Sequence, residues 1–404
     1  MKSLKELFII GPGPSSSHTI GPKKAAELFK QKYPNASSFK VTLFGSLALT
    51  GKGHLTDYII CKTLGENTKV EFNFTKIYIP HPNTMDFYAY DENGELLGQN
   101  RIFSLGGGAI SVENEKFHEP KEVYPFNSFE EMNKHLEELG LEHYYELVYK
   151  YEDEDIEEYI THCLMTMFEC VELGLNETGL IPGQLKLERV AREIYHSAID
   201  ENTPQEERRT LLISSFAYAV SENNASGFDV VTAPTCGSAG VIPASLYYEY
   251  KYNKKSIKEL VHALMIAGLI GNIVKTMASI SGAVGGCQAE IGTATMMAAA
   301  AISSLHGLKN YQIEYAAELA LEHMLGLTCD PVLGYVQIPC IERNAGSALR
   351  ACDAFLYAKI ISSKRKNRIS LDDVIRAMKI TGDELSSDYK ETSQGGLAKV
   401  YRKK

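Results

Sequence analysis

The chain has 404 residues and a net charge of −10, with 44% hydrophobic and 23% charged residues. That length allows more than one domain with its own core, and the charge disfavours nucleic acid or an anionic membrane as a partner. The start, MKSLKELFIIGPGPSSSHT, has no apolar run of signal-peptide length, and the eight cysteines then fit a reducing, cytoplasmic setting where thiols bind metal or are buried.

Residues 1 to about 115 predict mixed α/β structure. A Gly/Pro-rich loop, GPGPSSSHT, precedes a helix opening at Pro22, where proline suits the first turn. Phe39 to Phe44 alternates like a half-buried strand, and GSLALTGKGHLTDYIICKTLG predicts a turn running into a helix with His54, Thr56 and Asp57. Strand-like runs follow at Thr75 to Ile79, Asp86 to Tyr90 and Leu96 to Phe103, the last ending in Gly106-Gly107-Gly108. Between about 113 and 158 the acidic, tyrosine-rich composition predicts a linker with a short helical hairpin, its charge run a solvated face. From about 155 the pattern is helical: Ile156 to Leu173, Leu187 to Ile199, Pro204 to Ser221, Ser238 to Lys251 and Ile257 to Ser279, then two helices each led by a cysteine. The expected fold is α+β, a small α/β domain over 1–150, acidic linker included, followed by a larger all-helical domain over 151–404.

Gly282 to Asn344 concentrates Cys287, Cys329 and Cys340, each beside glycine, proline or an element boundary. Cys287 and Cys340 should stand near helix N-termini, where free N–H groups and the dipole favour thiolate, the metal-binding form. Their spacing matches neither a zinc ribbon nor a ferredoxin run. Taken alone, it suits three buried reduced thiols as well as a metal site. Ser15, Ser16, Ser17, His18 and Thr19 crowd hydrogen-bond donors into the loop before a helix, where they could grip a carboxylate or simply cap a solvated turn. His54 has Asp57 three residues on, able to orient its imidazole from one helical turn away. His81, in IPHPNTM, should project from a loop. Arg343 could pair with a substrate carboxylate or neutralise Glu342 or Glu290. Polar groups at Asn223, Asn224, Ser226, Glu290 and Asn344 could gather near the cysteine helices, and Cys236, in TAPTCGSAG, is the rival metal ligand. Cys61, Cys163, Cys170 and Cys352 suit core positions.

GGCQAEIGTA, TCDPV and VQIPCIERNA resemble signature segments of the iron–sulfur-dependent L-serine dehydratases (L-serine ammonia-lyases). GPSSSHTIGP near the start and YKETSQGGLA near the end extend the resemblance over nearly the whole chain. It implies conversion of L-serine to pyruvate and ammonia by a cytoplasmic homodimer. It further implies a four-iron four-sulfur cluster on Cys287, Cys329 and Cys340, with one iron open as a Lewis acid and Cys236 not a ligand. The small domain would resemble the allosteric substrate-binding domain of phosphoglycerate dehydrogenases. His54 and His81 fall in segments matching active-site histidine motifs, although HPNTM departs from the family's HPNGM or HENGM. His54 is expected as the base for the Cα proton, His81 as a positioning or proton-shuttling group, and the Ser15–Thr19 loop with Arg343 as the substrate grip. No lysine stands in a context that suggests pyridoxal phosphate. Some relatives end in a cysteine that reaches the active site; this sequence closes on Arg402-Lys403-Lys404, so no tail thiol is expected on the open iron. The rival functions are a dehydratase for another small β-hydroxy amino acid such as L-threonine, and a non-catalytic amino-acid sensor.

Overall fold

A computed structural model describes residues 1–75, 80–115 and 120–402. Most of the expected strand Thr75 to Ile79 lies outside these residues, as do Lys403 and Lys404. The chain opens with β1 (Ile10–Pro12), a π-helical turn over Ser16–Ile20, and α1 (Gly21–Lys32) with Pro22 in its first turn. Then come β2 (Ser38–Leu43), α2 (Gly45–Thr50), α3 (Thr56–Leu64), β3 (Thr68–Phe72), β4 (Thr84–Tyr90), β5 (Leu96–Gly106) and β6 (Ala109–Val112). Strands β2 to β6 form one sheet in the order β3-β2-β4-β5-β6. Only the β2–β3 pair is parallel, and α3 supplies the crossover that a parallel pair requires. The register sets Val41 opposite Phe87 and Met85 opposite Ile102. With period two, these residues share one face, which packs on Phe29 of α1 and Ile59 and Ile60 of α3 in a small core.

The remainder is helical: α4 (Phe129–Glu138), α5 (Tyr144–Tyr151), α6 (Ile156–Asn176), α7 (Ala191–Ile199), α8 (Gln205–Ala225), strand β7 (Asp229–Val231), α9 (Val241–Lys251), α10 (Ile257–Met277) and α11 (Gly282–Gly285). It closes with α12 (Thr293–Leu305), α13 (Asn310–Glu322), α14 (Cys340–Ile361), α15 (Leu371–Glu384) and α16 (Gly396–Tyr401). The class is α+β, as expected. Helix α10 is buried on nearly every side and packs on α12, whose Ala298 to Ala301 let the two axes approach closely. Among the described residues it is the one helix long and apolar enough to cross a membrane, and 78% of that window is buried inside the fold.

The large core reaches beyond the expected helical segment. Met1, Leu4, Leu7 and Phe8 are buried in it, and Ile10 pairs with Val231 across the β1–β7 ladder. The acidic segment does form a helical hairpin, α4 and α5, but it is no linker. Phe129, Met132, Tyr144 and Leu147 are buried in the large core, and the Asp372 carboxylate accepts the first N–H groups of α4 at 2.8 and 3.0 Å. The chain thus starts in the large core, leaves it for the sheet and returns. The Ser15–Ile20 turn lies at that seam, where Ser104 of β5 donates to Ser17 O at 2.7 Å.

Candidate active site and metal centre

A cavity of about 320 Å³ opens at this seam. The sheet side contributes Ser15 to His18 and His81, the helical side Cys236, Cys287, Glu290, Cys329 and Cys340, and the C-terminal segment Glu391. A larger cleft of about 1240 Å³ lies against α1, α3 and α6. Its charged groups are solvent-facing lysines and carboxylates of mixed sign, so the smaller cavity is where buried chemistry converges.

Each cysteine is placed by a local device. Cys287 immediately precedes a π-turn, Gln288–Gly292, that runs into α12. Gln288 pins this turn by donating to Met378 O (2.9 Å) and accepting from Gly326 N (2.9 Å). Cys340 is the first residue of α14. One turn on, Asn344 donates to Cys340 O and Gly237 O, both at 2.8 Å, and accepts from Gly240 N at 3.0 Å, tying the helix start to the TAPTCGSAG turn. Cys329 lies in a loop held by the C-terminal segment: its N–H donates to Tyr389 O (2.8 Å) and its carbonyl accepts from Glu391 N (2.9 Å).

The donor atoms of Cys287, Glu290 and Cys329 lie within 4.8 Å of one another, and Cys340 lines the same wall. A β-carbon at Gly282 would stand 2.5 Å from a Glu290 oxygen and 3.1 Å from Cys329 Sγ, so glycine there keeps the space around the thiols open. A hydrogen bond from Cys329 holds the Cys287 thiol below its ordinary range against burial, with Arg343 adding to the effect. The same bond, then burial, drives Cys329 far up, and burial followed by Cys287 does the same for Cys340. Two buried thiols, a partly buried third and a carboxylate cannot all ionise side by side unless a cation compensates them, and thiolate is the form that binds metal. The donor set therefore fits a soft, multivalent metal centre.

The opposite wall is imidazole. His18 and His54 stack with centroids 4.5 Å apart. His18 Nε2 meets Ser46 Oγ at 2.9 Å, and its Nδ1 is buried with no hydrogen-bond partner among the described residues. His54 Nδ1 lies 3.0 Å from Thr50 O, which as an acceptor fixes the proton on Nδ1 and leaves a lone pair on Nε2. That Nε2 is also buried and without a hydrogen-bond partner, 3.7 Å from Glu391 Oε1. Burial keeps both rings neutral, lowering His54 to about 4 and His18 well below its usual value. His81 sits half-buried at the cavity wall, its Nδ1 accepting Asn83 N–H at 3.1 Å. That tautomer puts a proton on Nε2.

Several expectations change. Asp57 does not orient His54: it accepts its neighbour Tyr58 N–H at 3.0 Å, because Leu55 adopts φ 55°, breaks the helix between the two residues and removes the one-turn geometry. His54 stands one layer behind the cavity wall, under His18 and beside Glu391. Thr19 is not at the wall either; its hydroxyl donates to His54 O at 2.8 Å. Ser15, Ser16 and Ser17 do line the cavity. Arg343 is turned away from any open substrate site: it donates to Thr328 O (2.6 Å), meets Asp330 at 3.4 Å and hydrogen-bonds the Cys287 thiol. Asn224 props the serine loop through Pro14 O, whereas Asn223 and Ser226 serve Arg189 and Glu342 is exposed. Cys236 lines the cavity, its thiol pushed up by burial and by Glu290. Glu391 and Lys275 also line the cavity, and sequence reasoning singled out neither. Glu391 sat inside the quoted YKETSQGGLA motif, which was the available signal.

Thiols and a carboxylate sealed in one wall, opposed by neutral imidazoles, make a candidate active site of the metal-dependent enzyme class. Comparison with known families narrows the class. The family described as Serine dehydratase alpha chain matches residues 79–398, and that described as Serine dehydratase beta chain matches residues 3–67. The L-serine dehydratase of Haemophilus influenzae is 37% identical over 98% of this chain and 99% of its own length. L-serine dehydratase 1 of Escherichia coli shows the same identity and coverage, and the Helicobacter pylori L-serine dehydratase is 36% identical over 99% of both chains. The chain belongs to the serine dehydratase family. The Haemophilus alignment runs over 454 positions against 404 residues here, so at least 50 positions fall opposite gaps in this chain. A cysteine-containing metal site in this family is consistent with an iron–sulfur cluster.

Proposed function

We propose that the chain is an L-serine ammonia-lyase that converts L-serine to pyruvate and ammonia. The observation that carries this reading is the meeting, at one buried cavity, of Cys287, Cys329 and Cys340 with the Ser15–His18 loop from the far end of the sequence. Cys287, Cys329 and Cys340 would hold a four-iron four-sulfur cluster with one iron open, which when bound supplies a Lewis acid for the substrate's hydroxyl and carboxylate.

The chain's own residues then divide the remaining work. The hydroxyls of Ser16 and Ser17, at the wall, grip the substrate carboxylate. His18 takes the Cα proton on Nδ1, the free nitrogen of a ring that burial keeps neutral and that lines the cavity. His54 positions His18 through the ring stack and through Thr19, which binds the His54 carbonyl. His81 delivers its Nε2 proton to the departing hydroxyl, and its exposure lets solvent restore that proton. Aminoacrylate leaves, tautomerises to the imine and is hydrolysed by water. A homodimeric state and a cytoplasmic location belong to the same proposal, on the strength of the family resemblance. The test is anaerobic purification with iron and sulfide analysis, followed by pyruvate and ammonia release from L-serine and L-threonine. Iron-replete protein that releases no pyruvate from L-serine overturns the reading.

A further inference from the structure

We infer that Glu391 receives the α-ammonium group of the substrate. The inference rests on the serine reading above and assigns a side chain that reading leaves without a contact to substrate. The C-terminal segment is built to deliver Glu391. Tyr389 and Glu391 bracket Cys329 through two backbone hydrogen bonds, Ser393 Oγ donates to Pro331 O at 2.8 Å, and Leu397 N donates to Asp330 Oδ2 at 2.8 Å. Glu391 and Ser393 both hold left-handed backbone conformations, φ 59° and 54°, which residues with a β-carbon adopt at a cost. The strap's hydrogen bonds hold that geometry, and its result is a carboxylate at the cavity wall with a side chain only 16% exposed.

What the carboxylate faces there is another acceptor. His54 Nε2 carries a lone pair, because Nδ1 gives its proton to Thr50 O, and it lies 3.7 Å from Glu391 Oε1. Nε2 is buried behind the wall without a hydrogen-bond partner among the described residues and stands beyond hydrogen-bond distance of Glu391, so it supplies that carboxylate with no counter-charge. An ammonium nitrogen entering from the cavity can reach Glu391 at an ordinary length of ~2.9 Å and carries the charge that a buried carboxylate needs. Glu290, the other carboxylate of the wall, is committed to the thiol nest. Lys275, a cation at the wall, gives its Nζ to Glu6 O at 2.6 Å. The placement also suits the chemistry. The ammonium and the labile proton sit on the same carbon, and Glu391 stands beside His54, on which His18 is stacked, so an ammonium held by Glu391 brings Cα against His18.

The experiment compares L-serine with L-glycerate, in which a hydroxyl replaces the ammonium, on anaerobic iron-replete holoenzyme. In the wild type, L-glycerate should inhibit competitively with a constant at least about 10-fold above the L-serine KM. Glu391→Gln should raise the L-serine KM by about 10- to 100-fold, the range for losing a charged hydrogen bond. It should change kcat far less and leave the L-glycerate constant within about 2-fold. An unchanged L-serine KM in iron-replete Glu391→Gln overturns the inference, and so does equal weakening of both ligands, the mark of a merely structural change. Should Glu391→Gln lose its iron, Glu391→Asp repeats the comparison, and the wild type decides alone: L-glycerate binding as tightly as L-serine overturns the inference. Failure of the serine reading looks different, since iron-replete wild type would then neither bind nor deaminate L-serine.

Discussion

Acidification should withdraw the stability that the stacked imidazoles contribute while neutral, and the size of that contribution follows from His54. An exposed imidazole titrates near 6.5, and burial lowers His54 to about 4. As pH falls below 6.5 the unfolded chain takes up a proton that the folded chain refuses, so stability present above that pH is lost down to about 4. Each pH unit inside that window is worth about 1.4 kcal/mol per site. His54 alone should therefore remove about 2 kcal/mol between pH 7 and pH 5, and about 3 kcal/mol by pH 4. His18, lowered by burial and by His54, acts in the same direction. Glu290 and Glu391, raised by burial to about 7 and about 8, act in the opposite sense, since their protonated forms are favoured by folding. The informative comparison is accordingly between two proteins. In His54→Asn the amide can keep the hydrogen bond to Thr50 O but cannot titrate. Urea midpoints read by pulse proteolysis at pH 7 and pH 5, without oxygen and with iron content matched, should show the variant losing about 2 kcal/mol less than wild type over that step. Equal losses in the two proteins would refute the placement of a neutral, depressed His54 in the fold.

Cys287→Ala, Cys329→Ala and Cys340→Ala should each lose iron, sulfide and activity while Cys236→Ala retains iron; full iron loss in a normally folded Cys236→Ala would replace one of the three assigned ligands. His18→Ala should lower turnover by about 10²-fold or more, with iron unchanged and a larger isotope effect from Cα-deuterated serine in single turnover. Near-normal turnover there would return the base role to His54. Asp330→Asn weakens the anchor that accepts Leu397 N–H and meets Arg343, and should cost about 1–3 kcal/mol in urea unfolding and raise the L-serine KM together with it.

The sequence carried the elements better than their junctions. FKVTLF, PKKAAELFKQKY and the run through Val274 announce β2, α1 and α10 because alternation and helical period are local properties. The same period runs through Leu371, Val374, Ile375 and Met378 of α15, all buried, although six of that helix's fourteen residues are charged. The three site cysteines were legible as motif residues, and the structure gathers them on one wall. What sequence could not supply were facts that depend on φ at single residues. Leu55 in a left-handed conformation separates His54 from Asp57, and that one torsion turns an expected orienting pair into two residues with different partners. Arg343 looked free to bind substrate because nothing local shows that Thr328, Asp330 and a thiol converge on it.

Glu391 shows why such a residue escapes a local reading. Its position follows from hydrogen bonds with Cys329, sixty-two residues earlier in the chain, and its orientation from a left-handed backbone that no β-branching or period forecasts. The same two hydrogen bonds that aim Glu391 also hold the Cys329 loop. A cysteine loop that shifts with its metal would therefore carry the Glu391 carboxylate with it, and the distance from Glu391 to His54 Nε2 would change in step. On the proposed assignments, substrate-binding and metal-binding groups on one strap cannot be formed independently: a chain without its metal should lose its discrimination between L-serine and L-glycerate along with its turnover, even where the fold around α10 and α12 persists.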